Sequence, residues 1–189
     1  FVGTAGGGVW RTINAGTTWE NVFNNQGTVS IGDVAIAPSD PDVIWVGTGE
    51  ENGRNSVQWG DGVYKSDDGG KTWQHMGLRE TFQIGHIEVH PTNPDIVYVA
   101  ALGRLWGDNE ERGVYRTKDG GNSWQRVMFI DEQTGCIDVR VHPRDPMTVF
   151  ACMYERKRDR FDGNDPVVRF GKNSGLYKSI DGGENWQQV

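Results

Sequence analysis

Four of the five carboxylates in two stretches whose composition suits ligand chemistry are catalytic candidates: Glu50 and Glu51 within Gly49 to Gly60, and Asp108 and Glu110 within Leu102 to Arg112. Two carboxyls about 5 to 10 Å apart across a sugar are what cleavage of a glycosidic bond requires, one as proton donor and the other as base or nucleophile. The same stretches, with a third from Tyr154 to Ser174, supply Arg54, Trp59, Arg104, Trp106, Arg158 and Phe161. Aromatic faces stack on sugar rings or peptide planes and guanidinium groups fix orientation, so this set serves a non-catalytic site for a protein, peptide or glycan ligand equally well. Glu50, Arg54, Arg104 and Glu111 are also suited to pairing with one another and merely ordering the loops.

Other clusters read as bland. His86-Ile-Glu88-Val-His90 puts three metal-ligating types on alternate positions, but alternate strand side chains stand roughly 7 Å apart. The matching positions in neighbouring repeats are Asp33, Ala35 and Ala37, and Asp138, Arg140 and His142. No metal and no cofactor is expected. Cys136 and Cys152 fall on neighbouring strands, where a disulfide is open, and two buried thiols are the simpler expectation.

Composition narrows the classes. Glycine is abundant, with 27 residues among 189, and eight Trp accompany them, a profile of tight turns between short strands packing large flat side chains. A net charge of −7, with its one basic run at Arg156 to Arg160 interrupted by Asp159, argues against a nucleic-acid partner. No apolar run approaches the ~20 residues of a membrane span.

The elements that must position these groups repeat. Thr12-Ile-Asn-Ala-Gly-Thr-Thr-Trp19, Ser66-Asp-Asp-Gly-Gly-Lys-Thr-Trp73, Thr117-Lys-Asp-Gly-Gly-Asn-Ser-Trp124 and Ser179-Ile-Asp-Gly-Gly-Glu-Asn-Trp186 share one frame, their Trp residues 54, 51 and 62 positions apart. A Gly-apolar-aromatic triplet precedes each: Gly8-Val-Trp10, Gly62-Val-Tyr64, Gly113-Val-Tyr115 and Gly175-Leu-Tyr177. Alternating segments beginning at Ile31, Ile84 and Cys136 run to Pro38, Pro91 and Pro143. Turns on Asp40-Pro41, Asn93-Pro94 and Asp145-Pro146 follow, and then apolar segments from Val43, Ile96 and Thr148. Each repeat therefore holds four strands, A to D. Four short antiparallel strands at this period make the blade of a β-propeller.

The boxes resemble those of the Asp-box (bacterial neuraminidase repeat) propellers, and the wider pattern is similar to sortilin-type ectodomains and related bacterial exported repeat proteins. The resemblance covers nearly the whole chain and implies an extracytoplasmic setting, with a glycoside hydrolase of the sialidase or xyloglucanase type as the alternative to a binding module. No sialidase-like arginine motif accompanies it. Because the box recurs once per blade, Ser66, Asp68, Gly70 and Trp73, Thr117, Asp119, Gly121 and Trp124, and Ser179, Asp181, Gly183 and Trp186 are expected to be structural. Each Asp accepts turn N–H groups while the Trp packs beneath. Asn14, Ala15 and Asn185 depart from the box pattern, and their hairpins are expected to be looser.

Phe1 to Thr4 aligns with Trp45 to Thr48, inside a B strand. The expectation is one all-β propeller domain over 1–189, an incomplete arc of about three and three-quarter blades. It comprises a partial blade at 1–26 and blades at 27–79, 80–130 and 131–189, completed by remaining blades of a parent chain or by other subunits. Strand alternation places the boxes and the A–B turns at one end, and the long B–C connections, with their candidate ligand residues, at the other.

Overall fold

Alternating apolar and polar residues between glycine- and proline-marked turns yield fifteen short strands among the described residues. The computed structural model describes residues 1–52, 56–155 and 171–189. The first sheet contains β1 (Val2–Thr4), β2 (Gly8–Arg11) and β3 (Glu20–Asn21). The second runs β4 (Ile31–Ala37), β5 (Asp40–Thr48), β6 (Val63–Ser66) and β7 (Gln74–His75). The third runs β8 (Ile84–Val89), β9 (Val97–Ala101), β10 (Gly113–Thr117) and β11 (Gln125–Met128). The fourth runs β12 (Thr134–Val141), β13 (Val149–Glu155), β14 (Gly175–Ser179) and β15 (Gln187–Gln188). Every pairing is antiparallel between consecutive strands, so each sheet is a meander, and the four form an open propeller arc.

Apolar cores lie between sheets. Val9 and Phe23 of the first meet Ile31, Val46, Tyr64 and Trp73 of the second. Trp45 and Val63 face Ile84, Ile87, Val99 and Trp124, and Tyr98 and Val114 face Cys136, Val139 and Trp186. The first strands β4, β8 and β12 lie against one another. Glycine permits that approach: a Cβ on Gly32 would stand 2.0 Å from the Ile84 carbonyl oxygen, and one on Gly85 2.4 Å from that of Ile137.

Each box makes the same set of bonds. Asp68 Oδ1 accepts from the Ser66 hydroxyl at 2.8 Å and from the amides of Lys71 and Thr72 at 2.9 Å, and Oδ2 accepts from the Thr72 hydroxyl at 2.6 Å. Asp119 repeats this with Thr117 and Ser123. Hydrogen bonds from Ser123 and Thr117 hold the Asp119 carboxyl down at about 2, and those from Asn185 and Ser179 do the same for Asp181. The expected looseness of the first and fourth hairpins is not found. Asn185 donates its amide to Asp181 at 2.8 Å in place of the usual hydroxyl. Asn14 accepts the Thr18 N–H at 2.9 Å and returns an amide hydrogen to the Thr18 hydroxyl. The departure that does carry strain is Ala15, held at φ 55° where the other boxes have glycine.

The box tryptophans do more than pack under their own turns. Trp73 Nε1 donates to the Val22 carbonyl at 2.9 Å, Trp124 to that of Met76 at 2.7 Å, and Trp186 to that of Val127 at 3.1 Å. Each acceptor belongs to the preceding sheet and lies three residues past that sheet's own box Trp. Cations reinforce the clasp: Arg11 Nη1 donates to the Gly69 carbonyl at 3.0 Å, and Arg116, buried, donates to that of Gly182. One turn differs from expectation. In the second sheet Ala37 pairs directly with Asp40, so the turn is Pro38-Ser39, and Pro41 lies inside β5 beside a register shift that spares it a ladder bond.

Trp124→Phe keeps the ring packing but strips the Met76 carbonyl of its donor, which lowers unfolding free energy by about 1–2 kcal/mol in urea titration. Ala15→Gly relieves the left-handed strain and raises it by roughly 0.5–1 kcal/mol in the same measurement.

Candidate functional site

At the end opposite the boxes, β4, β8 and β12 begin, and Glu51, Asn52 and Leu102 of the connections that follow β5 and β9 lie beside them. A cleft of about 570 Å³ opens there between Gly32, Asp33, Glu51, Asn52, Gly85, His86, Leu102, Ile137, Asp138, Arg140 and Tyr154. Its floor is one register position repeated in three sheets: Asp33 of β4, His86 of β8 and Asp138 of β12. His86 ties them together. Its Nδ1 lies 3.0 Å from Asp33 Oδ2, and its Nε2 lies 3.3 Å from Glu88 Oε2 and 4.0 Å from Asp138 Oδ1. Arg140 closes the ladder, 3.0 Å from Asp138 and 3.7 Å from Glu88. Asp33 also accepts the Ile87 N–H at 2.8 Å, a backbone tie between sheets.

Burial would push the His86 imidazole down, but its bonds to Asp33 and Glu88 outweigh that and hold it at about 9, so it is a cation at neutral pH. Burial likewise works to raise the Asp33 carboxyl, and the bonds from His86 and the Ile87 amide bring it below its ordinary value. Glu51 moves the other way. Although its side chain reaches solvent at the rim, partial desolvation and then the nearby Asp33 charge raise it. Asp138 Oδ1 is buried and, despite its closeness to Arg140 Nε, receives no aligned hydrogen bond.

The loop candidates divide among several places. Trp59, 55% exposed, packs edge-on against Phe82 at 5.2 Å, and the Arg104 guanidinium lies 5.1 Å from the centroid of the same Phe82 ring, so Phe82 joins two successive B–C connections. Trp106 is half-buried and Glu50 is buried. Asp108 and Glu110 are exposed and share an outer cleft with Glu80, Arg104, Glu111 and Glu132, whereas Glu51 lines the central one. Glu111 accepts the Tyr115 hydroxyl at 2.8 Å, and Arg104 is committed to Phe82, so these two are ordered by aromatic neighbours. Arg54, Arg158 and Phe161 lie outside the described residues. Both cysteines are thiols, Cys136 buried and Cys152 only half-buried. Among the described residues no cluster of His, Cys, Asp and Glu could hold a metal ion.

Two groups escaped sequence reasoning. The Asp33, His86, Asp138 set was visible as a matched register position, but its mixed chemistry read as grounds against a metal instead of as an ion-pair ladder. Arg112 is fully buried: it donates through Nε to the Glu132 carbonyl at 2.7 Å, through Nη2 to that of Arg104 at 2.8 Å, and also to that of Leu102. It therefore shapes the second B–C connection from within. The signal is positional, since Asp61, Arg112 and Ser174 each directly precede a third-strand glycine. The Asp61 carboxylate and the Ser174 hydroxyl likewise accept hydrogen bonds, but from the end of the preceding strand: from the Thr48 hydroxyl at 3.4 Å and the Glu155 amide at 2.9 Å respectively.

The His86 ladder has a pH signature. A cation raised from its ordinary 6.5 to about 9 stabilises the fold fully below pH 6.5, and that stabilisation is lost as pH rises through 9. Urea titrations at pH 6, 8 and 10 are expected to show roughly 1–2 kcal/mol more alkaline loss, after allowing for solvent screening, in the native protein than in His86→Gln.

Comparison with known proteins bears on fold and lineage. An oligoxyloglucan reducing-end-specific xyloglucanase of Emericella nidulans is 33% identical over 119 residues, which cover 59% of this chain and 14% of that protein. A xyloglucanase of Acetivibrio thermocellus is 25% identical over 97% of this chain and 23% of its own length. The chain thus spans less than a quarter of either relative. The crystal structure of the GH74 xyloglucanase from Xanthomonas campestris superposes with a TM-score of 0.68 at 20% identity, covering all of this chain and 27% of that one, a likeness of fold. The family model for sortilin and Vps10 (sortilin, neurotensin receptor 3) matches residues 7–159 and again 61–189. With the boxes, the meandering sheets and that match together, the chain belongs to the Sortilin-Vps10 family of Asp-box β-propellers.

Proposed function

We propose that the arc is the ligand-binding part of an extracytoplasmic propeller and that it takes a glycan in the central cleft, without cleaving it. The observation that carries this reading is the cleft's wall: carboxylate, imidazole, guanidinium and amide groups from three successive sheets meet at one open mouth, a density of hydrogen-bonding partners suited to a hydroxyl-rich ligand. The xyloglucanases among the relatives support a sugar over a protein or peptide ligand. The first two B–C connections, with exposed Trp59 and half-buried Trp106, supply aromatic surface at the same end.

Glycoside hydrolysis is the second reading, and one observation favours it. Glu51 and Asp33 line the same cleft with carboxyls shifted in opposite directions, the division of labour that separates a proton donor from an ionised partner. Against it, Asp33 is already committed to His86 and to the Ile87 amide.

Calorimetric titration of the intact protein with xyloglucan and other oligosaccharides, beside an assay for new reducing ends, distinguishes these readings. Binding without product release is expected. Product release that disappears in Glu51→Gln would establish hydrolysis instead, and failure of every glycan to bind would leave a protein or peptide as the ligand.

A further inference from the structure

Charge in the central cleft is unevenly matched. Among the described residues, four carboxylates, Asp33, Glu51, Glu88 and Asp138, stand around two cations, His86 and Arg140. Both imidazole nitrogens are engaged, Nδ1 by Asp33 and Nε2 by Glu88. Arg140 turns Nε to Asp138 and Nη1 to Glu88. The cations are therefore held by the protein's own carboxylates, and an incoming anion would have to displace one of these pairs.

Spare capacity lies with the acceptors. Glu51 reaches solvent at the rim. The Asp138 side chain is 43% exposed while its Oδ1 is buried, which leaves Oδ2 as the oxygen accessible from the cleft. Two carboxylates from different sheets thus face the opening, and ionisation of Glu51 is disfavoured first by partial desolvation and then by like-charge crowding from Asp33 and Asp138. A positively charged donor relieves that crowding and satisfies both acceptors, whereas a carboxylate, sulfate or phosphate adds to it.

We propose that this cleft selects its ligand by charge, taking a sugar that bears an ammonium group ahead of a neutral one and turning acidic sugars away. The proposal rests on the central cleft being the binding site. Tetramers of glucosamine, N-acetylglucosamine and galacturonate, titrated into the intact protein at low salt, test it. The glucosamine tetramer is expected to bind at least tenfold more tightly than its N-acetylated counterpart, with galacturonate undetectable. Combining Glu51→Gln with Asp138→Asn should bring the first two within about twofold of each other. Equal or tighter binding of galacturonate, or an unchanged ranking in the double variant, overturns the proposal. If no oligosaccharide binds, the glycan reading falls, and selection by charge is then read from methylammonium and acetate titrations that follow the His86 ring by NMR. A saturable shift with methylammonium alone supports the proposal; any other pattern overturns it.

Discussion

The indole N–H that Trp73, Trp124 and Trp186 each extend to a carbonyl of the preceding sheet is the interaction on which the rest of the arc depends. A single flat meander cannot bury both of its faces, so every sheet needs a neighbour at fixed distance and rotation. The hydrogen bond supplies that constraint because it joins a side chain locked by its own turn to backbone three residues beyond the previous turn. Trp73, Trp124 and Trp186 all obey this rule. The network inside each hairpin serves the same end: Asp68, Asp119 and Asp181 gather the turn amides so that the Trp leaves at a set angle. Trp19, on the open flank of the first sheet, is 44% exposed.

Order imposed at the box end is delivered to the other end by the inner strands. With β4, β8 and β12 close enough that Gly32 and Gly85 admit no Cβ, side chains at one register position must meet. Half-burying three ionisable groups together is tolerable where opposite charges pair, and His86, between Asp33 and Glu88 and 4.0 Å from Asp138, satisfies that condition. The resulting ladder is both a seam between sheets and the floor of the cleft. Above it, buried Arg112 and the Trp59, Phe82, Arg104 contacts order the first two connections, so that side of the mouth is built on polar and aromatic anchors.

Strand order, hairpins and the boxes were legible because each has a local cause: alternation, an Asx-Pro turn, a carboxylate collecting amides. Asn93 Oδ1 accepting the Asp95 amide at 3.0 Å is the turn chemistry expected of that sequence. Asn14 and Asn185 misled because an amide was read as a weaker version of the group it replaces, whereas a side chain that both donates and accepts completes the same network. Pro41 misled because a proline beside Asp marks a turn or a bulge with equal force. The ladder and Arg112 had positions the repeat marks but roles it does not. Their significance is non-local, arising from the distance between sheets and from a fully buried cation whose partners are carbonyls, which residue type does not reveal.

The central claim is that the boxes build the arc while the opposite end binds. A crystal structure of the intact protein soaked with an oligosaccharide that binds it tests this most directly. The account predicts sugar density over Asp33, His86 and Asp138, with contacts to Glu51 and Tyr154. Density confined to the box end, in the crevice lined by Arg11, Asn24, Lys71 and Trp73, would contradict it.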